Sequence, residues 1–282
     1  MYSLRPPSAP LAGLIERYWF VDARAQPVEL QVDVFVDGQA DLVFNFGDPW
    51  WREVPGRPPE AHARSVIDAQ RRHPMRVRQA GSVHIVGVRF ALGGLGAFTP
   101  RSVGELTDQT PPPSAVWGAA AEALEGALAQ AQGEDAQASL LDAFFIAHLQ
   151  PADERAVLQR ALRAVQGAPP PARISTVARS LGLSVRSLER LFQRHIGLTA
   201  RMVTRIARFQ GAIRALMIDP GCTLAALADQ AGYFDQAHFV REFREMAGGL
   251  PRDHRGYFPE DGPRDFAPNL VAYIQDGPKP AG

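Results

Sequence analysis

Guanidinium and carboxamide side chains recur at helical spacing in two stretches of the last third of the chain. Arg186 and Arg190 belong to the first stretch, and Gln236, Arg241 and Arg244 belong to the second. Residues three or four positions apart share one face of a helix, so each stretch would present a polar face. Both groups form paired hydrogen bonds, the chemistry that recognises phosphate oxygens and the edges of guanine and adenine. The spacing therefore indicates a nucleic-acid contact surface.

The elements that must position these side chains form a repeated pattern. A short apolar helix precedes Gly232, which can turn the chain because glycine reaches positive φ without a steric penalty. Asp235 is a fitting N-cap for the next helix, whose inner side would bury Phe239, Phe243 and Met246. The same plan occurs about fifty residues earlier, with Gly182 and Ser184 in the equivalent places. One helix-turn-helix is a weak indication of DNA binding, but two in tandem with polar second helices are a strong one.

One continuous helix is predicted between the two units, over residues 199–218, because this segment is apolar on one side and contains no proline. At about 1.5 Å per residue it spans roughly 30 Å, close to the ~34 Å between successive major-groove faces on one side of a duplex. It could hold both reading helices over neighbouring turns of DNA, and a shorter spacing would require the duplex to bend. Its basic stripe, Arg201, Arg205 and Arg208, is expected to touch phosphate or acidic neighbours rather than bases.

Charge is distributed unequally along the chain. The formal net charge of all 282 residues is zero, which taken alone argues against nucleic acid. Residues 172–258, however, contain thirteen arginines and seven acidic residues, a balance of +6, which leaves −6 for the remainder. Codon bias explains a preference for arginine over lysine but not this asymmetry. The positive charge lies where the two helix-turn-helix units lie.

Residues 173–258 resemble the DNA-binding domain of AraC-type transcription regulators. In the second unit the matching residues are Ala231, Gly232, Tyr233, Asp235, Gln236, Ala237, His238, Phe239, Arg241, Phe243, Gly248, Pro251 and Arg255. In the first unit they are Ala178, Gly182, Leu183, Ser184, Arg186, Leu188, Arg190, Phe192 and Gly197. The chain departs from the family at Ala200, where proline is usual, and at His254, where an aromatic residue is usual. Both departures fall at helix junctions and bear on local packing.

The helix faces and the resemblance together identify candidate DNA-contacting residues. They are Arg186, Ser187, Arg190, Gln193, Arg194, Arg201, Arg205, Asp235, Gln236, Ala237, His238, Arg241 and Arg244. Each could singly be an ordinary surface residue on a solvated, charged face. Their concentration on the second helices of two matched units favours contact with DNA, in which some side chains face base edges and others face phosphates.

The first ninety residues show the short alternating runs of strands. Residues 29–36 alternate, Asp37 and Gly38 form a turn signal, and residues 41–46 return as a second strand. An extended proline-rich arm is expected over residues 1–13, a loop over 47–64, and further strands near 66–67, 75–77 and 82–90. A small antiparallel sandwich or barrel is the best interpretation. Three helices are predicted between residues 114 and 166.

The N-terminal part also resembles a sensor-like domain found in one branch of these regulators. The resemblance rests on Arg17-Tyr18-Trp19, Asp37-Gly38, residues 41–48, and Gly87-Val88-Arg89-Phe90 with Gly93-Gly94. It implies a cupin-like β barrel that serves ligand sensing or dimerisation, without naming a ligand. Five aromatic or basic residues are candidates for the pocket: Trp19, Phe44, Trp50, Trp51 and Arg89.

These observations predict an α+β protein: an N-terminal antiparallel β barrel or sandwich with following helices, then an all-α domain with two helix-turn-helix motifs joined by a long helix. The expected boundaries are 1–113 for the sensor domain, 114–166 for a helical connector or dimerisation region, 167–172 for a proline-rich linker, 173–258 for the DNA-binding domain and 259–282 for a tail. No signal peptide or membrane span is apparent, so a cytoplasmic location is expected.

Enzyme chemistry finds little support in the sequence. The seven histidines are scattered, without the spacing of a zinc site, and no nucleophile elbow or phosphate-binding loop occurs. Asp33, Asp37 and Asp41 could be paired carboxylates, although strand ends and turns use aspartate routinely. The lone Cys222 excludes an intrachain disulfide. We therefore expect neither a catalytic activity nor a cofactor nor a metal.

The sequence thus predicts a DNA-binding transcription regulator controlled by a small molecule. Its expected partners are double-stranded DNA, an effector, RNA polymerase and a second copy of the chain. The competing classes are a binding or enzymatic barrel with an accessory DNA-binding module and a protein-interaction scaffold. A helical C-terminal part that shifts no duplex would favour the scaffold.

Overall fold

The computed structural model describes residues 2–25, 28–62, 64–151, 154–167, 173–218, 221–252 and 270–273. Within them, two five-stranded antiparallel sheets form the N-terminal part. The strands are β1 Tyr2–Arg5, β2 Ile15–Asp22, β3 Val28–Val34, β4 Asp41–Asn45, β5 Trp50–Glu53, β6 Glu60–His62, β7 Val66–Asp68, β8 Met75–Gly81, β9 His84–Phe90 and β10 Leu270–Tyr273. The first sheet has the order β1-β2-β9-β4-β7 and the second has the order β10-β3-β8-β5-β6.

Alternation along the strands divides the first sheet into two faces. Tyr18 and Phe20 of β2 and Phe90 of β9 join a core with the three helices that follow the sheets. On the opposite face Val21 and Ile85 pack with Val34 and Met75 of the second sheet. The helices are α1 Ser114–Trp117, α2 Ala119–Gln130 and α3 Glu134–Ala147. The space between the two sheets is therefore separate from the sheet-to-helix core.

The strands on either side of the Asp37-Gly38 turn do not pair with each other. Gly38 has the positive φ that the turn signal requires, +75°. However, β3 pairs with β8 in one sheet while β4 pairs with β9 in the other, so the turn crosses between sheets. The loop predicted at 47–64 is also wrong, since β5 and β6 form an antiparallel pair there. The prolines that suggested a loop lie in the connection between these strands or just before them. The arm at 1–13 contains β1, paired with β2.

Among the described residues, the C-terminal part has six helices around a second core. They are α4 Arg155–Val165, α5 Ile174–Ser180, α6 Val185–His195, α7 Ala200–Ile218, α8 Leu224–Gln230 and α9 Gln236–Ala247. The predicted helices and glycine turns are confirmed: Gly182 and Gly232 have φ of +69° and +74°. No helix among the described residues is long and apolar enough to cross a bilayer.

The packing divides the chain at a different place from the proline-rich segment. Leu158, Ala161, Leu162 and Val165 of α4 are buried in the same core as the helix-turn-helix units, whereas α1–α3 pack on the first sheet. Helix α4 therefore belongs with the C-terminal helices rather than with a connector. Residues 168–172 of the predicted linker, His254, Arg255 and most of the predicted tail lie outside the described residues.

Residues 35–40, which connect β3 to β4, join the two parts of the molecule; we call them the docking loop. Phe35 is fully buried in the helical core, with its ring edge-on to Phe209 of α7 at 6.3 Å between centroids. The backbone N–H of Val36 donates to the carbonyl of Met246 in α9 (3.0 Å), and the Gln210 side chain of α7 donates to the carbonyl of Val36 (2.9 Å). The docking loop thus contacts both α7 and α9.

Candidate nucleic-acid interface

Helix α6 presents the polar face predicted for the first reading helix. The Ser184 hydroxyl accepts from the backbone N–H of Ser187 (3.0 Å), which confirms the predicted N-cap. Leu188, Leu191 and Phe192 are buried against the helical core. The opposite side leaves four polar residues exposed and Ser187 half-buried. The exposed four are Arg186, Arg190, Gln193 and Arg194.

Helix α9 has the same construction. Asp235 accepts from the backbone N–H of His238 (2.6 Å), so its carboxylate is engaged as the predicted N-cap even though the residue is exposed. Phe239, Phe243 and Met246 are buried, as expected. His238 is half-buried and turns Nε2 toward Glu242 at 3.9 Å. Four candidate residues of this helix are exposed: Gln236, Ala237, Arg241 and Arg244.

The basic stripe of α7 is largely neutralised within the protein. Arg205 donates to Glu242 (2.8 Å) and Glu245 (2.5 Å), and Arg208 pairs with the same Glu242 at 2.8 Å. Arg201 is the exposed member of the stripe. Of the two partners allowed by the sequence, phosphate or acidic neighbours, the structure supplies acidic neighbours for Arg205 and Arg208. These ion pairs fasten α9 to α7, and they could not be read from the stripe alone because Glu242 lies on another helix.

A concave surface of about 580 Å³ opens between α5, α7 and α9. Its lining includes Arg173 at the start of α5, Arg201 of α7 and Arg241 of α9, together with the ion-paired cluster around Glu242. Arg201 and Arg241 are exposed, so the concavity brings cations from separate helices to one place. Such a surface attracts polyanions, and its attraction weakens as salt concentration rises.

The C-terminal end of α6 rests on the N-terminal part of the chain. The Ser102 hydroxyl donates to the carbonyl of Gln193 (3.3 Å), and the Thr107 hydroxyl donates to the carbonyl of Gly197 (2.7 Å). Gly197 has φ of +77°, and a Cβ there would lie 1.9 Å from Nε2 of Gln70, so this close approach needs glycine. The N-terminal half of α6, with Arg186 and Arg190, is left open.

Three of the five candidate pocket residues share the space between the sheets. Trp19 is half-buried beside the inter-sheet cluster and its indole N–H donates to Asp41 (3.3 Å). Trp50 is buried and stacks on His62, with ring centroids 4.6 Å apart. Arg89 is buried on the inner face of β9. These three positions agree with a site between the sheets.

The other two candidates lie elsewhere. Phe44 is fully buried in the sheet-to-helix core, on the opposite face of β4, because its neighbour Val43 takes the inward position. Trp51 is 49% exposed, since it follows the inward-facing Trp50 in β5 and successive side chains point to opposite faces. The prediction that Phe44 and Trp51 share a pocket with Trp19 and Trp50 is therefore wrong. The alternation would have separated Trp50 from Trp51 had the segment been recognised as a strand.

Arg89 is the centre of a buried ionic cluster. Its guanidinium pairs with Asp37 of the docking loop and with Asp41 at 2.5 Å, and it donates to the side-chain oxygen Oε1 of Gln39 at 2.9 Å. Burial lowers the pKa of Arg89 to about 10, which leaves it protonated at neutral pH. The aspartates that could have been paired carboxylates are thus ligands of arginines, with Asp33 on Arg76 at 2.6 Å. The cluster connects the inner face of β9 to the docking loop.

Buried polar atoms in the same region have no hydrogen-bond partner among the described residues. They include the indole N–H of Trp50 and Oε1 of Gln79, residues that lie opposite each other on β5 and β8. Gln79 was not identified from the sequence, and its inward position becomes clear only from the strand register. A buried polar group without a partner costs free energy, which a bound ligand can recover. Among the described residues, no three His, Cys, Asp or Glu side chains are grouped to hold a metal ion.

Comparisons with known proteins divide the chain into the same two parts. Residues 177–256 match a family described as a helix-turn-helix domain, and residues 4–112 match a domain family of unknown function, DUF6597. No curated protein is significantly similar to the chain.

Solved structures of transcription regulators are also similar to this chain. A transcriptional regulator with an AraC-type DNA-binding domain from Chromobacterium violaceum is 22% identical over 40% of this chain and 100% of its own, with a TM-score of 0.36. ToxT from Vibrio cholerae is 9% identical over 84% of this chain and 98% of its own, with a TM-score of 0.46.

The family match covers both capped reading helices and the long helix between them. The chain therefore carries a helix-turn-helix domain in its C-terminal third.

Proposed function

We propose that this protein is an AraC-type transcription regulator that binds its operator by laying α6 and α9 in successive major grooves of one duplex, under the control of a small molecule held between its two sheets. The observation that carries the DNA-binding part is the shared design of the two helices. Each is capped at its N-terminus, buries its apolar side in one common core and exposes guanidinium groups on the other. The 19-residue α7, which lies between them in the chain, is roughly 28 Å long at about 1.5 Å per residue.

In this proposal the exposed faces of α6 and α9 read the bases, and residues at the edges of these faces contact the DNA phosphates. Arg186 and Arg190 of α6 and Gln236, Ala237 and Arg241 of α9 are placed toward base edges. Phosphate contact is assigned to Arg201, Arg194 and Arg244. Arg205, Asp235 and His238 were candidate DNA contacts, but their hydrogen bonds and charges are directed within the protein. In this proposal they support the reading helix rather than touch the duplex.

The effector site is proposed between the sheets, beside Trp19, Trp50 and Arg89. The unpartnered indole N–H of Trp50 and the unpartnered carbonyl oxygen of Gln79 suit a ligand that carries both an acceptor and a donor. One of the structures similar in fold is ToxT from Vibrio cholerae bound to an unsaturated fatty acid. The polar lining here favours a smaller and more polar ligand than an acyl chain.

Coupling between the two sites is assigned to the docking loop. Asp37 of this loop is bound to Arg89, and the adjacent Val36 is hydrogen-bonded to α9 through Met246 and to α7 through Gln210. A ligand that shifts Arg89 would therefore act on both helices through two consecutive residues. Only a ligand with different affinities for the two arrangements can shift their balance. The expected contacts with RNA polymerase and with a second copy of the chain stay predictions.

The DNA-binding proposal is tested with Arg190→Ala on duplexes that the wild-type protein selects from a random-sequence library. We expect a loss of about 1–3 kcal/mol in binding free energy and a relaxed preference at one base step. Arg64→Ala, which removes an exposed arginine of the N-terminal part, is the matched control and should leave affinity unchanged. Equal affinities of Arg190→Ala and wild type on every selected duplex would contradict the role of α6.

A further inference from the structure

Phe234 is 92% exposed, the largest exposure among the big apolar side chains that the structure describes. It lies between Tyr233 and the N-cap Asp235, two residues before the first residue of α9. Leaving a phenylalanine in water forgoes the free energy that its burial would supply. The local structure nevertheless holds it there.

The second helix-turn-helix has one more residue in its turn than the first. In the first unit, Leu183 alone separates the glycine from the capping serine, and its N–H donates to the carbonyl of Ala178 (2.9 Å). In the second unit, Tyr233 makes the equivalent bond to Ala228 (2.8 Å). Phe234 then follows as the additional residue before the cap. It has no counterpart in α6's turn.

The residues on both sides of Phe234 are fixed. The Tyr233 ring is buried, lies edge-on to Phe239 at 5.2 Å, and has the guanidinium of Arg208 4.4 Å above it. Asp235 is extended, with φ −156° and ψ 173°, and is tied to α9 by its capping bond. Since the flanking backbone is already ordered, little further order would be lost when the Phe234 ring is covered by a partner.

The position of the ring decides which partner would cover it. The N-terminal residues of a reading helix contact base edges in the major groove, where the apolar group on offer is the C5-methyl of thymine. Gln236 and Ala237, exposed at the same end of α9, would enter the same groove. Val185, the first residue of α6, is likewise apolar and 45% exposed. Both reading helices therefore carry an exposed apolar residue at the end directed toward the duplex.

We propose that Phe234 is a specificity-determining residue that packs on the C5-methyl of a thymine in the half of the operator read by α9. This inference rests on the proposed DNA-binding function and adds a residue that neither helix face contains. The longer turn of the second unit thus supplies an apolar contact with the duplex. In the first unit, the only counterpart at this end is the smaller Val185.

The test uses full-length protein and the strongest duplex selected by wild type from a random-sequence library. Each thymine of that duplex is replaced in turn by deoxyuridine, which removes only the C5-methyl group. We expect one replacement to weaken wild-type binding about fourfold, the effect of losing one buried methyl group. Phe234→Ala should bind the parent duplex about tenfold more weakly and should be insensitive to that same replacement.

Ile146→Ala is the control variant, because Ile146 is an exposed apolar residue on α3 and is distant in the chain from both reading helices. It should respond to every replacement as wild type does. Thermal unfolding of all three proteins checks that the exposed site is not needed for folding.

Three outcomes would overturn the inference. Phe234→Ala could bind the parent duplex as tightly as wild type, or it could keep the wild-type response to every deoxyuridine. It could also retain wild-type DNA binding while losing the ability to activate transcription by RNA polymerase, which would make Phe234 a contact to the polymerase rather than to DNA. Failure of wild type to enrich any duplex would instead contradict the proposed function, so the two failures can be told apart.

Discussion

Phe35→Ala should uncouple the two halves of the molecule. Phe35 belongs to the N-terminal part in sequence, but its ring is fully buried among residues of α4–α9 and touches Phe209. Truncating a buried phenylalanine to alanine costs about 3–5 kcal/mol, and the edge-to-face ring pair accounts for about 1 kcal/mol of specific contact. We therefore expect about 4 kcal/mol less stabilisation of the helical part by the N-terminal part.

Two optical signals separate the halves. The four tryptophans, Trp19, Trp50, Trp51 and Trp117, all lie in the N-terminal part, so intrinsic fluorescence follows that part in urea. Most helical residues lie in α4–α9, so far-ultraviolet circular dichroism follows mainly the C-terminal part. With an m-value of about 2 kcal/mol/M, a loss of about 4 kcal/mol corresponds to a shift of about 2 M. In Phe35→Ala the midpoint of the dichroism transition should lie at a lower urea concentration than the midpoint of the fluorescence transition, by up to this amount.

Phe145→Ala provides the opposite case. Phe145 is equally buried, but in the sheet-to-helix core, where its ring contacts Phe90 and Phe98. Its truncation should lower the fluorescence transition first. Coincident transitions in Phe35→Ala, or a fluorescence transition that falls while the dichroism transition stays in place, would refute the assignment of Phe35 to the helical core.

Two further predictions concern ion pairs of the helical part. Glu242→Gln should lower the free energy of unfolding by about 2 kcal/mol, less than for a fully buried pair because Arg205 and Arg208 reach solvent. It should also steepen the salt dependence of non-specific DNA binding, since it frees two cations; a slope equal to wild type would show that these cations do not reach the duplex. Glu154→Gln should lower the melting temperature near neutral pH, because the hydrogen bond with His195 lowers the pKa of Glu154. The stabilisation that Glu154 contributes is therefore present above pH 4.5 and is lost as pH falls through the lowered pKa. Melting curves of Glu154→Gln and wild type should converge in acid, and a gap that stays constant with pH would contradict this contribution.

Features governed by neighbouring residues were predictable from the sequence. Both N-caps, Ser184 and Asp235, and both turns, at Gly182 and Gly232, depend on contacts within a few residues, and the structure has them as predicted. The continuity of α7 follows from its uninterrupted apolar side, and Gly211 does not break it. The α+β architecture followed from the change of hydrophobic period along the chain.

Features governed by distant partners were not predictable. Alternation correctly marked β3, but it cannot say that Phe35 at its end is buried by helices rather than by a facing strand, since both environments exclude water. The partner sheet of each strand beside Gly38 was equally hidden, because a turn signal specifies a turn and not what the flanking strands pair with. The sequence left phosphate and acidic neighbours equally open as partners of the arginine stripe of α7, because its counterion, Glu242, is 34 residues from Arg208.

The docking loop limits how the two parts of this protein can be recombined with those of other proteins. A hybrid that joins the C-terminal helices to a foreign sensor at the proline-rich segment would leave α4 behind and would leave the pocket around Phe209 unfilled. The carbonyl of Met246 and the side chain of Gln210 would also lose Val36, the residue to which both are bonded. A sensor exchange that works should therefore take its junction before α4 and transplant residues 35–40 with the helices they serve.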